Sequence, residues 1–403
     1  MKNMQNEQYK LQSVVKTVGN SILDVVNISE STINHVMILN GINMNYKEMF
    51  DTIQQSLVVS KLWNDMENCV EQSPFHRESN VAIHTKMALE EYSILCSNNW
   101  NINDFIVSVV LLFHDVGKPK SKIEKYSIER GTYFAFTGHE LQSSRIFIDF
   151  ILASPQLKPL FTNELLFVIA WLIEQHKPWN ITNKNSISDM CWTISKFIGN
   201  VDVFLDILLS DNYGRISDDY TQNNKKAEEW CANFKSQYLA KLDYFNSPRN
   251  NKFPKAYFMI GASGSGKTTF RNQLGNLPTF SMDDLRIELY GNDYATSFYK
   301  STKDSHFKAK CKERLLSIAR LNSDMIVDNT NTIKNTRQYH LNELKNRKYH
   351  TIGVVFLTAF KSNVDRQSTR HDKNVPVEVI NSQYWKMQLP SLGEFDEIVI
   401  VVN

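Results

Sequence analysis

The chain has 403 residues, 42% of them hydrophobic and 22% charged, with 45 Lys and Arg against 43 Asp and Glu. That composition suits a globular protein of two or three domains and excludes a disordered, collagen-like or disulfide-stapled chain. No apolar run approaches the roughly 18 to 20 residues of a membrane helix, and the opening MKNMQNEQYK lacks an apolar signal core, so a cytoplasmic protein without a membrane partner is expected.

The near-neutral total conceals an asymmetry. From Asn251 onward there are 22 basic and 15 acidic residues, a balance of +7, and the preceding residues hold the other 23 basic and 28 acidic, a balance of −5. Five cysteines (Cys69, Cys96, Cys191, Cys231, Cys311) form no CxxC pair, and their odd number fits reduced, buried thiols.

In chain order, residues 1–45 carry only weak periodicity and read as an N-terminal extension of uncertain fold. From 46 to 241 the pattern is helical, with Phe50, Ile53, Leu57 and Leu62, then Val107, Val110 and Leu111, then Leu165, Val168, Ile169 and Leu172 at three- and four-residue spacing. Within it, the apolar run Leu111-Leu112-Phe113 leads into His114-Asp115-Val116-Gly117-Lys118, and further candidates stand at separate helical stations: His84, His139, His176 and Asp211. Each histidine alone reads as a satisfied structural residue. Together, neutral imidazoles and carboxylates suit Zn, Mn, Fe, Co or Ni, and four or more of them can hold one or two ions that polarise a phosphate and lower the pKa of bound water. Lys118 and Arg215 each follow a candidate ligand by four residues, placing a cation on the ligand's helical face within reach of a phosphate oxygen.

Residues 242–253 (LDYFNSPRNNKF) contain a proline and a run of Asn and read as a linker. From 254 to 403, short β-like runs alternate with helical segments: AYFMI (256–260), PTFS (278–281), DMIVD (324–328), TIGVVFL (351–357) and EIVIVV (397–402). This alternation predicts a parallel sheet covered on both faces. After the first run comes Gly261-Ala262-Ser263-Gly264-Ser265-Gly266-Lys267-Thr268, a G-x-x-x-x-G-K-[ST] loop in strand, loop, helix context. Its glycines let backbone N–H groups turn around phosphate oxygens, Lys267 reaches the β- and γ-phosphates, and Thr268 offers a hydroxyl to Mg²⁺. The expected nucleotide-binding set is Gly261, Ser263, Gly264, Ser265, Gly266, Lys267, Thr268 and Thr269, with ATP or another nucleoside triphosphate as ligand.

After the second run, Ser281-Met282-Asp283-Asp284-Leu285-Arg286 offers a carboxylate to take a proton from an attacking hydroxyl and an Arg to hold a phosphate on the acceptor. The competing assignment for Asp283 and Asp284 is a helix N-cap. After the third comes Asp328-Asn329-Thr330-Asn331, and after the fourth Asp365-Arg366-Gln367-Ser368-Thr369-Arg370. Arg366 and Arg370, four apart, share one face if helical, as closure over a transferring phosphoryl group would require; the plainer alternative is solvated surface charge.

These elements together resemble the phage-type and bacterial 5′-OH polynucleotide kinases, in which a P-loop is followed by D-D-x-R, D-x-T-N and an R-x-x-x-R lid leading into a Val-Pro helix start, here Val375-Pro376. The resemblance implies that Asp283 is the general base for the ribose 5′-OH, that Arg286 contacts a phosphate of the acceptor, and that Arg366 and Arg370 clamp the ATP phosphates. The front half resembles the HD phosphohydrolase superfamily from about Ser73 to Asp218, including Pro74 to Glu78 and the Gly-His-Glu element at Gly138. That resemblance implies a first metal on His84, His114, Asp115 and Asp211, and a second on His139 and His176; His76, which faces the site or caps a helix, is left out. The order of the two resembles the bacterial HD-Pnk RNA end-healing enzymes. The resemblance implies a multidomain fold, an all-α HD-type domain followed by an α/β P-loop kinase domain, acting on RNA or DNA strand ends and preparing 5′-OH and 2′,3′-cyclic phosphate ends for a ligase. Two other classes remain open on the residues alone: a nucleotide-metabolising HD nucleotidase fused to a small-molecule kinase, and a non-catalytic ATP-gated binding protein. RNA or DNA, the identity of the metal and the oligomeric state are not decided by the residues.

Overall fold

The computed structural model describes residues 44–71, 76–96, 99–128, 131–179, 184–246, 252–291, 293–370, 373 and 375–403. The expectation for residues 1–45 lies outside them except at Met44 and Asn45, as does the Ser73 to Phe75 part of the HD lead-in. The described chain forms two compact units, one within Val26–Ser247 and one within Pro248–Asn403. The first is helical and the second is α/β with a parallel sheet. No helix among the described residues is long and apolar enough to cross a membrane.

The helical unit runs α1 (Tyr46–Val58), α2 (Lys61–Glu67), α3 (Val81–Ser93), α4 (Ile102–Phe113), α5 (Lys118–Ser121), β1 (Ile123–Ser127), β2 (Gly131–Ala135), α6 (His139–Ala153), α7 (Asn163–Gln175), α8 (Lys184–Phe197), α9 (Val201–Tyr213), α10 (Tyr220–Ala240) and α11 (Leu242–Asn246). Its centre is α4. Asn101 accepts from the backbone N–H groups of Asn103 and Asp104 while Asp104 accepts from Asn101, a capping box that starts the helix. Every α4 residue except Asn103 is then buried, so the helix is the core around which α1, α3, α7 and α9 pack. Each fully buried Val, Leu or Phe stabilises by about 1.5–3 kcal/mol. This burial fixes where the end of α4, and hence His114 and Asp115, must lie.

The hairpin β1–β2 is an addition to the all-helical expectation. Four of the five β1 residues are exposed, so the segment lacks the alternating burial that reveals a strand in sequence. Helix α11 likewise occupies the start of the stretch read as a linker.

The α/β unit comprises β3 (Lys255–Ile260), α12 (Lys267–Gln273), β4 (Thr279–Phe280), α13 (Met282–Tyr290), α14 (Tyr294–Lys303), α15 (Phe307–Ala319), β5 (Met325–Val327), α16 (Lys334–Lys345), β6 (His350–Leu357), α17 (Phe360–Ser368), α18 (Val377–Trp385) and β7 (Glu397–Val402). The five strands are ordered β4-β5-β3-β6-β7 and all pair in parallel. All of β6 and all but the first residue of β3 are buried, which is why those runs read as continuously apolar. The carboxyl ends of β3, β4, β5 and β6 lead into the P-loop, the Asp283 helix, the Asp328 loop and the Arg366 helix, so the topology gathers all four motifs at one edge of the sheet.

Candidate functional sites

In the helical unit, four helix ends bring the His and Asp series together. His114 and Asp115 follow α4, His84 sits on α3, His139 opens α6, His176 caps α7, and Asp211 lies near the end of α9. Gly117 makes this convergence possible: a Cβ there would stand 2.6 Å from the carbonyl oxygen of His139 and 2.6 Å from the Ser143 nitrogen, so only glycine lets the α4–α5 turn approach α6 this closely. All six ligand candidates are buried.

The orientation of each imidazole is set by its Nδ1. That atom lies 3.0 Å from the Gly214 carbonyl in His84, 2.6 Å from Leu111 in His114, 2.6 Å from Phe136 in His139 and 2.7 Å from Ile173 in His176. A carbonyl can only accept, so Nδ1 carries the proton and all four Nε2 atoms point inward. Two of them meet at 3.2 Å (His84 and His114) and two at 3.3 Å (His139 and His176). Asp115 stands between the pairs: Oδ2 lies 3.4 Å from His84 and 3.2 Å from His114, whereas Oδ1 lies 3.0 Å from His139 and 3.7 Å from His176. Asp211 Oδ1 joins the first pair at 2.9 Å from His84 and 3.5 Å from His114.

This donor set fits divalent cations. Both oxygens of Asp115 and Oδ2 of Asp211 are buried and make no well-aligned hydrogen bond, although Lys118 and Arg215 stand beside them, and the lone pairs of the facing imidazole nitrogens are satisfied by a cation between them. His84, His114 and Asp115 form one cluster of converging ligand atoms and Asp115, His139 and His176 another. The cage is electrostatically negative on its first side. Burial opposes a charge on His114, but Asp115 and Asp211 outweigh it and carry its pKa up to about 10. On the second side, burial and Lys177 push His139 down to about 3 and burial likewise lowers His176. Burial acts against the charged forms of Asp115 and Asp211, yet His114 and Lys118 hold the first, and Arg215 with His114 the second, well below the usual carboxylate range.

The structure buries Lys118 between Asp115, 2.6 Å away, and Glu71. Arg215 pairs with Asp211 Oδ2 at 3.2 Å, its side chain 12% exposed. The residue missed from sequence is Glu78. Its Oε1 lies 3.2 Å from His84 Nδ1 and 2.6 Å from His76 Nδ1, and its Oε2 accepts from the Ile216 N–H at 3.0 Å, so it ties two imidazoles to the segment after α9. Its only sequence signal is its place in the HD lead-in.

In the α/β unit, residues from Ser263 to Thr269 line a cleft of about 600 Å³ together with Asp283, Asp284, Asp328, Arg366, Arg370 and Lys373. Gly264 has φ +82°, and a Cβ there would lie 2.2 Å from the Asn363 carbonyl oxygen, so the loop geometry requires glycine at this position. Lys267 Nζ folds back to donate to the carbonyls of Gly261 and Ala262, both at 2.8 Å. Burial pushes its pKa down to about 8. Thr268 and Thr269 are exposed.

Capping of α13 falls to Ser281, whose hydroxyl accepts from the Asp284 N–H at 3.1 Å, so neither aspartate is the N-cap. Asp283 instead lines the cleft, held at Oδ1 by Arg286 Nη1 at 2.6 Å and at Oδ2 by Lys373. Burial works against its charge, but Lys373 and Arg286 lower its pKa. Arg286 is stacked between the rings of Phe298 and Phe307, 5.0 and 5.2 Å away, and donates to Ser301 at 3.1 Å. Asp328 is paired with Arg271 at 2.8 Å. Arg366 lies on α17 and Arg370 just past its end, both facing the cleft. Pro376 is the N-cap of α18. Lys373 and Tyr294, which also line the cleft, carried no motif in the sequence.

Residues 257–390 match the AAA domain family. The chain is also similar, at 28% identity over 138 residues, to a protein of Autographa californica nuclear polyhedrosis virus named "Putative bifunctional polynucleotide kinase/RNA ligase". That match covers 32% of this chain and 20% of the viral protein, so the similarity spans about a fifth of the relative's length. The likeness and the fold support a helical unit followed by an α/β unit with a parallel sheet, consistent with a P-loop kinase.

Proposed function

We propose that the protein is a bifunctional end-healing enzyme of nucleic acid, RNA above all. The α/β unit phosphorylates 5′-OH ends from ATP; the helical unit removes 2′,3′-cyclic, 2′- or 3′-phosphates, leaving ends that a ligase can join. The observation that carries this reading is the coexistence, in one chain, of a P-loop cleft holding Asp283 and two arginines with a buried cage of four inward Nε2 atoms and two carboxylates.

In the kinase step, the P-loop N–H groups and Lys267 hold the β- and γ-phosphates, and Thr268 offers its hydroxyl to the Mg²⁺ accompanying the nucleotide. Asp283 accepts the proton of the acceptor hydroxyl as its oxygen attacks the γ-phosphorus. The bond to the β–γ bridging oxygen breaks and ADP departs. Arg366 and Arg370 neutralise the charge that spreads over the equatorial oxygens. Asp283 is available only when its pairing with Lys373 opens. Arg286 fixes the second carboxylate oxygen and stands next to the path of the acceptor.

At the second site, His84, His114, Asp115 and Asp211 would hold one divalent transition ion, of Mn, Zn, Fe, Co or Ni, and His139 and His176 with Asp115 another. Bound there, the ions would polarise a phosphate and lower the pKa of coordinated water. Lys118 and Glu71 fix Asp115 from behind, Glu78 fixes His84, and Arg215 at the rim is the cation for a phosphate oxygen. The test is a short RNA with 5′-OH and 2′,3′-cyclic phosphate ends, incubated with wild-type protein, ATP and Mg²⁺ or Mn²⁺, each end followed separately. Both ends are expected to be converted; an unchanged 5′ end removes the kinase half of the proposal and an unchanged 3′ end the phosphatase half.

A further inference from the structure

Helix α14 turns an unusual face outward. Its two buried residues are serines, Ser297 and Ser301, which let it lie close against α13 and which bring the Ser301 hydroxyl to Arg286. Two of its aromatic residues reach outward: Phe298, which also packs on Arg286, is 44% and Tyr299 63% exposed. Tyr294, one turn before Phe298 on the same face and 6.2 Å from it between ring centroids, lines the cleft. Lys300 and Lys303 are exposed on the same helix, Lys303 Nζ lying 5.6 Å from the Tyr299 ring, and the helix carries no acidic residue. The flanking Asp293 caps the helix, and Asp304 is taken up by Tyr290 and Lys310. Exposed rings interleaved with lysines favour single-stranded nucleic acid, whose bases stack and whose phosphates seek cations.

Lys373 links this face to the reacting group. Its Nζ pairs with Asp283 and lies 4.6 Å above the Tyr294 ring, filling the space between the carboxylate and the aromatic face. Resting on the kinase reading, we propose that Tyr294 is the platform for the base of the acceptor's 5′-terminal nucleotide. That nucleotide replaces both contacts of Lys373, its hydroxyl meeting Asp283 and its base the ring. The following nucleotides run single-stranded over Phe298 and Tyr299, with phosphates near Lys300 and Lys303. A duplex keeps its bases stacked on one another and offers no face to the second ring, so the preferred acceptor is a single-stranded 5′ end.

The test is steady-state phosphorylation of a single-stranded 5′-OH oligonucleotide, its counterpart abasic at the first nucleotide, and a recessed duplex 5′ end. Tyr294→Ala is expected to raise the acceptor KM about 5- to 140-fold, the range of one lost base–aromatic stack, while leaving the KM for ATP unchanged; Tyr294→Phe restores the acceptor KM. Wild-type enzyme is expected to show a comparable loss with the abasic acceptor and a higher KM for the recessed end, two readouts independent of whether a variant folds. An abasic or recessed acceptor used as well as the intact single strand overturns the platform, as does a wild-type acceptor KM in Tyr294→Ala. Wild-type protein that phosphorylates no 5′-OH at all overturns the kinase reading itself, a result distinct from either.

Discussion

At the residue scale, the two sites hold their polar groups in opposite ways: the cage anchors one atom of each imidazole and turns the other inward, whereas the cleft keeps Lys267 and Asp283 on internal partners. Each imidazole of the cage uses Nδ1 on a backbone carbonyl, which aims Nε2 at its neighbours. Lys267 differs, because its Nζ itself rests on the carbonyls of its own loop. Burial brings its pKa down to about 8, so the neutral amine becomes dominant as pH rises through that value. Only the ammonium attracts phosphate, and ATP binding therefore takes up a proton above about pH 8. We predict an ATP affinity that falls by at most about tenfold per pH unit above that point, measured by calorimetric titration at pH 7 and pH 9. An affinity that does not weaken between those values would contradict this role for Lys267. The P-loop was legible in the sequence because it is a short, chemically constrained motif, whereas the His and Asp residues of the cage stood out only as an ensemble, each at its own helical station. Lys373, Tyr294 and Glu78 were not legible: Lys373 meets Asp283 across 90 residues, and nothing local marks such a contact.

At the element scale, helices and strands deliver these groups because their own burial leaves little choice of placement. Loop geometry after β5 depends on Arg337, fully buried on α16, which forms a two-pronged pair with Glu394 at 2.6 and 2.8 Å and donates to the carbonyls of Asn331 and Gln388. Arg337→Ala strands a buried carboxylate and is predicted to cost about 3–5 kcal/mol in urea unfolding of the α/β unit. A loss below about 1 kcal/mol would show the pair to be dispensable. On α9, Asp206 is a liability. Burial, then the charge of Asp202, pushes its carboxyl from 3.8 up to about 6. A group that binds its proton more tightly when folded stabilises below its unfolded pKa, and that contribution is lost as pH rises through the folded value. Asp206→Asn is thus predicted to stabilise the helical unit at pH 7.5 by on the order of 1 kcal/mol, a figure discounted for partial solvent exposure, with the gain vanishing near pH 4. Thermal melts at the two pH values check it, and an equal effect at both would refute it. The strongly periodic helices and the apolar strands of the sheet were expected from their spacing. The β1–β2 hairpin escaped because nearly all of β1 faces solvent, and α11 because its five residues are too few to establish a period.

At the scale of the whole molecule, the change of charge sign near Asn251 coincides with the boundary between the two compact units at Ser247 and Pro248. The −5 half gathers carboxylates and imidazoles into a cage whose donors suit cations, and the +7 half surrounds its cleft with arginines and lysines suited to phosphates. Each unit holds every residue assigned to its own chemistry, so the two proposed activities are independent of one another. The most direct test uses one RNA with 5′-OH and 2′,3′-cyclic phosphate ends, treated with Asp283→Ala and, separately, Asp115→Ala protein. Asp283→Ala is predicted to abolish 5′ phosphorylation and spare release of the 3′ phosphate, and Asp115→Ala to do the reverse. Loss of both activities in either properly folded variant would contradict that independence.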